Sequence, residues 1–372
     1  MKLLITTQKV DKNDDVLGFF HSWIAEFAKH CQKLTVICLQ KGEYDLPSNV
    51  KVLSLGKEKY INSPNFSFVT FSPRGCWGAF IRRFALLLKF YQYIWRERKN
   101  YEAIFVHMNP EYVVLGGLFW KLWQKKIALW YVHKAVPWQL RVAEKFTNII
   151  FTASSESCNL KSKKIKIVGH GIDINKFKLR TPKERNEFFN IIYVGRISPI
   201  KNQKLLIQAV SELVNKENIK NIKVELIGGT VYAQDEKYKQ ELKDLIDKYK
   251  LNNCVHFRGR LPFSQMPKIY AKADLSLNLC PTGGIDKAVL ESMAAGVPPI
   301  VLNQSFSRIL SPYKDLLLLS QSDKKELAAK IKTIINLSSD QYYQLAKQLN
   351  QIIKRQYSLG NLILKIIAEI KI

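Results

Sequence analysis

Long apolar runs are missing from these 372 residues. The longest, Tyr112 to Trp120, ends at Lys121 after nine residues, well short of the ~18 to 20 that a membrane-spanning helix needs. The opening, MKLLITTQKV, has an apolar run of only three residues before Thr6, too few for a signal-peptide core, so a soluble or peripheral protein is expected. Metal and disulfide patterns are missing too. The six cysteines, Cys31, Cys38, Cys76, Cys158, Cys254 and Cys280, form no C-x-x-C pair and no His-linked spacing, which points to a reducing, cytoplasmic home without a bound metal. Repeats, low-complexity tracts and Ser/Gly linkers are also absent. Acidic residues are scarce, 31 against 58 Lys and Arg, for a net charge of +27. Such a balance invites nucleic acid as a partner, but the excess is spread evenly, +14 over residues 1–170 and +13 over the rest. No nucleic-acid motif accompanies it. An evenly basic surface attracts any polyanion, an anionic membrane leaflet included.

What is present is an α/β rhythm with enough chain for two domains. Residues 2–5 and 34–39 read as strands flanking a helix from Gly18 to His30, a Rossmann-like opening. The polar stretch QKVDKNDDVLGFF lies between the first strand and that helix, at a strand carboxyl end where open α/β sheets place ligands. Within it Gly18 is either a ligand-facing glycine or a helix-start glycine. Residues 74–99 carry Trp77, Ile81, Phe84, Leu88, Tyr91 and Trp95 at helical spacing, with seven basic residues against the single Glu97. Two readings follow: the stripe faces the core and the charges are solvated, or the helix lies on an anionic membrane. Strand 103–106 ends at His107, and strand 127–132 ends at His133 and Lys134, on the same rim. Lys134 is either an anion contact or a solvated charge. Strands at 147–153 and 164–168 complete the first half.

In the second half, strand IIYVG closes at Gly195 before Arg196 and Lys201, a glycine and two cations suited to phosphate. Strand 222–227 runs into Gly228 and Gly229, followed by a charged helix from Asp235 to Lys248. The stretch NLCPTGGIDKAVLESMAAGVPPIV then joins strand 275–279, a glycine pair, a helix over 287–295 capped by Gly296, and a second strand. Its strand-to-helix turn presents free backbone N–H groups to an anion or a sugar hydroxyl. Helices at 324–336 and 340–357 and a terminal amphipathic helix follow.

LESMAAGVPPIV and the upstream YVGRISPIKN resemble the Glu-helix-Gly-x-Pro and Gly-Arg-x4-Lys segments of retaining glycosyltransferases of the GT-B fold, family four (glycosyl transferases group 1), over residues 190–302. The resemblance implies two Rossmann-like domains facing across a cleft, residues 1–170 for the acceptor and 171–357 for the nucleotide sugar. A terminal helix, 358–372, returns to the first domain, and GHGID at 169–173 corresponds to the family's linker turn. By resemblance Arg196 and Lys201 grip the donor diphosphate with Gly195, and Glu291 holds the ribose. Gly283, Gly284, Ile285, Asp286 and Lys287 line the sugar, Phe257 to Gly259, with Arg258 among them, face the nucleobase, and His107 stands at the reacting face. No metal or other cofactor is implied. The donor is expected to be a UDP- or GDP-hexose and the acceptor a glycan or lipid-linked saccharide, with the protein in the cytoplasm or peripheral on the inner face of the cytoplasmic membrane. One departure is plain: the family's first Glu of a Glu-x7-Glu pair falls at Gly283. A nucleotide-sugar-binding relative without turnover is therefore a rival reading, and a basic nucleic-acid-binding protein is a second.

Overall fold

The structure, a computed structural model, describes residues 1–60, 77–179 and 187–371. Cys76, Arg74 and the start of the 74–99 segment lie outside them. The chain divides into two compact units, Met1–Gly169 with Leu362–Ile372, and His170–Asn361.

The first unit contains β1 (Lys2–Val10), α1 (Gly18–Lys29), β2 (Lys33–Lys41), β3 (Val50–Ser54), α2 (Trp77–Glu97), β4 (Ala103–His107), α3 (Pro110–Leu122), β5 (Lys126–Trp130), α4 (Trp138–Phe146), β6 (Ile149–Thr152) and β7 (Ile165–Ile167). The strands form one parallel sheet in the order β3-β2-β1-β4-β5-β6-β7. Leu3 to Thr7 and every residue of β4 are buried, because a parallel sheet is covered on both faces by its crossover helices. β1 runs farther than the sequence suggests. Lys9 and Val10, expected in the loop, pair with Gln40 and Lys41 of β2, and the polar turn shrinks to the residues before α1.

The second unit contains β8 (Phe189–Val194), α5 (Gln203–Ser211), β9 (Ile222–Ile227), α6 (Ala233–Lys248), β10 (Val255–Gly259), α7 (Met266–Lys272), β11 (Leu275–Asn278), α8 (Lys287–Ala294), β12 (Pro299–Val301), α9 (Lys314–Leu317), α10 (Lys324–Ile335), α11 (Ser339–Gln356) and the start of α12 (Leu359–Lys371). Its five strands are parallel in the order β10-β9-β8-β11-β12. In both sheets the order reverses once, at β1/β4 and at β8/β11. Open α/β sheets bind ligands at such a reversal, outside the strands' carboxyl ends.

α2 corrects the expected stripe. Leu86, Phe90 and Ile94 are buried, one helical face along, whereas Phe84, Leu88 and Trp95 are more than half exposed and Tyr91 is half-buried. The helix has apolar residues on two faces, and the face inward is the one that meets Tyr112 and Trp120 of α3. Gly296 does end α8. At φ +74 its N–H reaches the Met293 carbonyl, and Val297 N–H reaches that of Ser292, the paired bonds of a Schellman motif that glycine adopts without Cβ strain.

Candidate functional site

At the β8/β11 reversal of the second unit, the loops after three strands are tied together by their backbones. Gly195 N–H bonds to the Ile227 carbonyl at 2.9 Å, Ile197 N–H to Gly229 at 3.0 Å, and Gly228 N–H to Gly259 at 2.8 Å. The contact needs glycine at 228: at φ +143 an added Cβ would stand 2.0 Å from the Gly195 carbonyl oxygen. This knot fixes where Arg196 emerges. Arg196 is exposed, with its guanidinium carbon 5.6 Å from the centre of the Tyr232 ring, a stacking contact available to a planar cation. Its backbone carbonyl accepts from the Gln203 side chain.

Five residues on, the turn Pro199–Lys201 brings Lys201 back across the β8 end. Tyr193 hydroxyl donates to the Lys201 carbonyl and accepts from Leu279 N–H, so one buried phenol links the loops after β8 and β11. Lys201 Nζ then meets Asp286 Oδ2 at 2.7 Å. Burial pushes the Lys201 ammonium down, but the charge and hydrogen bond of Asp286 outweigh it and raise the pKa, while Arg196 nearby pulls the other way. Burial likewise pushes Asp286 up, and Lys201, the Asn278 amide at 2.9 Å and the Ala288 N–H together hold it below the usual carboxylate range.

Asp286 corrects the expected open helix end. It is the N-cap of α8 and accepts from Ala288 N–H, so this helix start already carries a protein anion. Behind it, Lys287 and Glu291 stand one turn apart on α8. Burial raises the Glu291 pKa and lowers that of Lys287, each opposed by the charge of the other. The glycine turn is fixed from the far side: Asn303 amide and Ser305 hydroxyl donate to the Gly283 carbonyl at 3.2 and 3.1 Å, and Asn303 also reaches Gly284 at 3.3 Å. Beyond its chain neighbours the nearest atom to a Cβ built at Gly283 is Asn303 Nδ2 at 3.8 Å, so the place of the absent carboxylate has room, although φ +133 would strain any side chain there. His170 is buried beside Ile285, Asp286 and Lys287. Burial first, then the Lys287 charge, pushes its pKa down to about 3, and the imidazole is neutral at pH 7.

The sequence-derived residues divide accordingly. Arg196, Lys201, Asp286, Lys287 and Glu291 form one electrostatically linked chain around the β8/β11 end, with Gly195, Gly283, Gly284 and Ile285 on the loops that carry it. The Arg258 side chain does not join them: it is exposed and directed to Glu225 at 3.7 Å, although the neighbouring Gly259 has open space around its Cα. In the first unit, His107 ends β4 at the β1/β4 reversal and is 2% exposed. It shares a 3.2 Å hydrogen bond with Thr7 and stacks on Phe20 at 3.7 Å, with Phe19 and Trp23 at its edges. Gly18 is buried as the first residue of α1, its N–H donating to the Asp14 carbonyl. His133 is exposed and accepts from Ala135 N–H in its own turn, beside an exposed Lys134. Asn278, Asn303, Tyr193 and His170 were not legible as site residues; single buried polar residues at strand ends have no pattern until the strands are ordered. Among the described residues no cluster of His, Cys, Asp and Glu could hold a metal ion, and no helix is long and apolar enough to cross a membrane.

A family described as "Glycosyl transferases group 1" matches residues 172–356. The human GDP-Man:Man(3)GlcNAc(2)-PP-Dol alpha-1,2-mannosyltransferase is 25% identical over 44% of this chain and 35% of its own length. A putative colanic acid biosynthesis glycosyltransferase of Escherichia coli K12 is 23% identical over 52% of this chain and 48% of its own. The chain thus spans less than half the length of these relatives. The fold matches the crystal structure of Anabaena HepE in complex with UDP and glucose with a TM-score of 0.71, 16% identity and coverage of 100% of this chain and 99% of that one.

Proposed function

Over residues 172–356 this chain belongs to the glycosyl transferases group 1 family, and from that premise we propose that it transfers a hexose from a nucleotide-sugar donor to an acceptor hydroxyl with retention of configuration. The observation that carries the reading is the Lys201–Asp286 contact across the β8/β11 reversal, which joins a cation and a carboxylate from separate loops at the ligand end of a parallel sheet. Arg196 and Lys201 take the donor diphosphate, Arg196 through its planar fork and Lys201 as a point charge. In the reaction the bond between the anomeric carbon and the diphosphate breaks, and the acceptor oxygen forms the new bond and gives up its proton to the departing diphosphate. Negative charge grows on the diphosphate, where the two cations stabilise it most. No metal is required in this scheme. Glu291 accepts from the ribose hydroxyls, the backbone of Gly284 to Asp286 receives the sugar, and the Phe257–Gly259 backbone receives the base. His107, held by Thr7 and Phe20, serves the acceptor side in the first unit.

The donor is a UDP- or GDP-hexose. UDP is the nucleotide in the HepE complex, and GDP-mannose is named for the human relative. The acceptor is a glycan or lipid-linked saccharide, and the protein works in the cytoplasm. A thermal-shift screen of nucleotide sugars tests the reading: at least one donor raises the unfolding midpoint, and the rise disappears in Lys201→Ala and Glu291→Ala. No shift with any donor overturns it. Binding without turnover across a panel of acceptors supports instead a non-catalytic relative, the reading favoured by the open place at Gly283.

A further inference from the structure

We propose that the outer face of α2 and α3 is a docking surface for an anionic lipid membrane. Six of the large apolar side chains that stand exposed among the described residues lie on these two helices: Phe84, Leu88 and Trp95 of α2, and Leu118, Phe119 and Leu122 of α3. Trp95 is 55% and Leu122 70% exposed. They form one surface, because the helices touch through ring pairs, Tyr91 with Phe119 at 5.6 Å and Trp95 with Trp123 at 5.7 Å, and through the Tyr91 hydroxyl on the Leu115 carbonyl. A groove of about 600 Å³ runs between these rings, flanked by Arg96 and Arg98. Scattered exposed leucines are ordinary, but a contiguous aromatic patch marks a contact surface.

Charge complementarity decides the occupant. Arg96 and Arg98 line the groove, and exposed Lys99 follows Arg98 in the chain. Glu97, the sole acid of α2, is turned inward and bridged to Lys51 at 2.7 Å. Arg98 lies over the Trp95 ring at 4.3 Å, a pairing of cation and indole suited to the headgroup level, where the ring enters the acyl region and the cation stays with phosphate. A second copy of this chain would bring the same cations together under a net charge of +27 per molecule, and duplex nucleic acid offers nothing to the leucines. An anionic leaflet satisfies both halves of the surface.

Binding is read without donor or acceptor, so this inference stands apart from the sugar-transfer reading. The full chain is sedimented with phosphatidylcholine vesicles, with and without phosphatidylglycerol, at low and high salt. Co-sedimentation with the anionic vesicles alone, released by salt, is expected. Trp95→Ser/Leu122→Ser is expected to lower partition at least tenfold. Arg96→Gln/Arg98→Gln should lower it by about fivefold per cation and flatten its salt dependence. Brominated lipids should quench the wild-type tryptophan fluorescence, a reading that needs no variant to fold. Absence of binding, or equal binding by both variants, overturns the proposal. So does a wild-type dimer that Trp95→Ser/Leu122→Ser dissolves, which gives the face to a second copy, or retention on RNA rather than vesicles.

Discussion

Glu291 and Lys287 show how one turn of helix sets a titration. Each is disfavoured in its charged form by burial and supported by the other's charge. If Glu291 must be ionised to accept from ribose, donor affinity rises with pH as its proton leaves. Lys287→Met removes the charge that holds the Glu291 pKa down, so the midpoint of affinity against pH, measured by calorimetry, moves upward. An unmoved midpoint separates Glu291 from the donor. Glu97 gives the matching case in the first unit. Burial pushes it up, but Lys51, Asn100 and Arg96 outweigh burial and hold its pKa below the ordinary value. A depressed carboxylate adds stability above the unfolded pKa and loses it as pH falls through the folded one. Glu97→Gln should therefore cost about 1 to 3 kcal/mol at neutral pH, with the difference from wild type shrinking in denaturant titrations at acid pH.

Among the elements, the junction of β8, β9 and β10 is the tightest. Gly228→Ala places a methyl 2.0 Å from the Gly195 carbonyl oxygen, and neither backbone can yield without breaking the bonds that join the three loops. We expect a loss of several kcal/mol in urea unfolding and weakened donor binding, because Arg196 moves with Gly195. Gly296→Ala is milder. It keeps the Schellman bonds only at a strained φ and presses on the Leu179 side chain, a cost of about 1 kcal/mol. α2 is the element where sequence reading left two outcomes open and the structure overturned the core-facing one. Periodicity located it to within a few residues, but both of its long faces are apolar, and spacing has no term for which face a neighbour covers. α4 and β3 were not read at all, being short elements whose few buried residues, such as Leu140 and Ala143, form no pattern without the sheet beneath them.

Across the molecule, donor turnover is expected to survive chelation. If Arg196 and Lys201 neutralise the diphosphate as proposed, activity in excess EDTA should equal the untreated rate, and a loss restored by Mg²⁺ would remove them from that role. α12 supplies a second test. Leu362, Ile363, Ile366, Ile367 and Ile370 are buried, the helix from Leu362 groups with the first unit, and Glu369 pairs with Lys166 of β7. Ending the chain before Leu362 should lower the first unit's unfolding midpoint and expose dye-binding apolar surface, while the second unit's transition stays in place. The sequence by itself determined the α/β alternation and the glycine turns, because strand and helix periods and turn chemistry are local, while Arg196, Lys201 and Glu291 were singled out through the family resemblance. Only the tertiary structure decided which charges meet. Lys201 and Asp286 are 85 residues apart, and they touch because β8 and β11 pair side by side, a long-range choice made by the whole sheet's burial rather than by any stretch of chain.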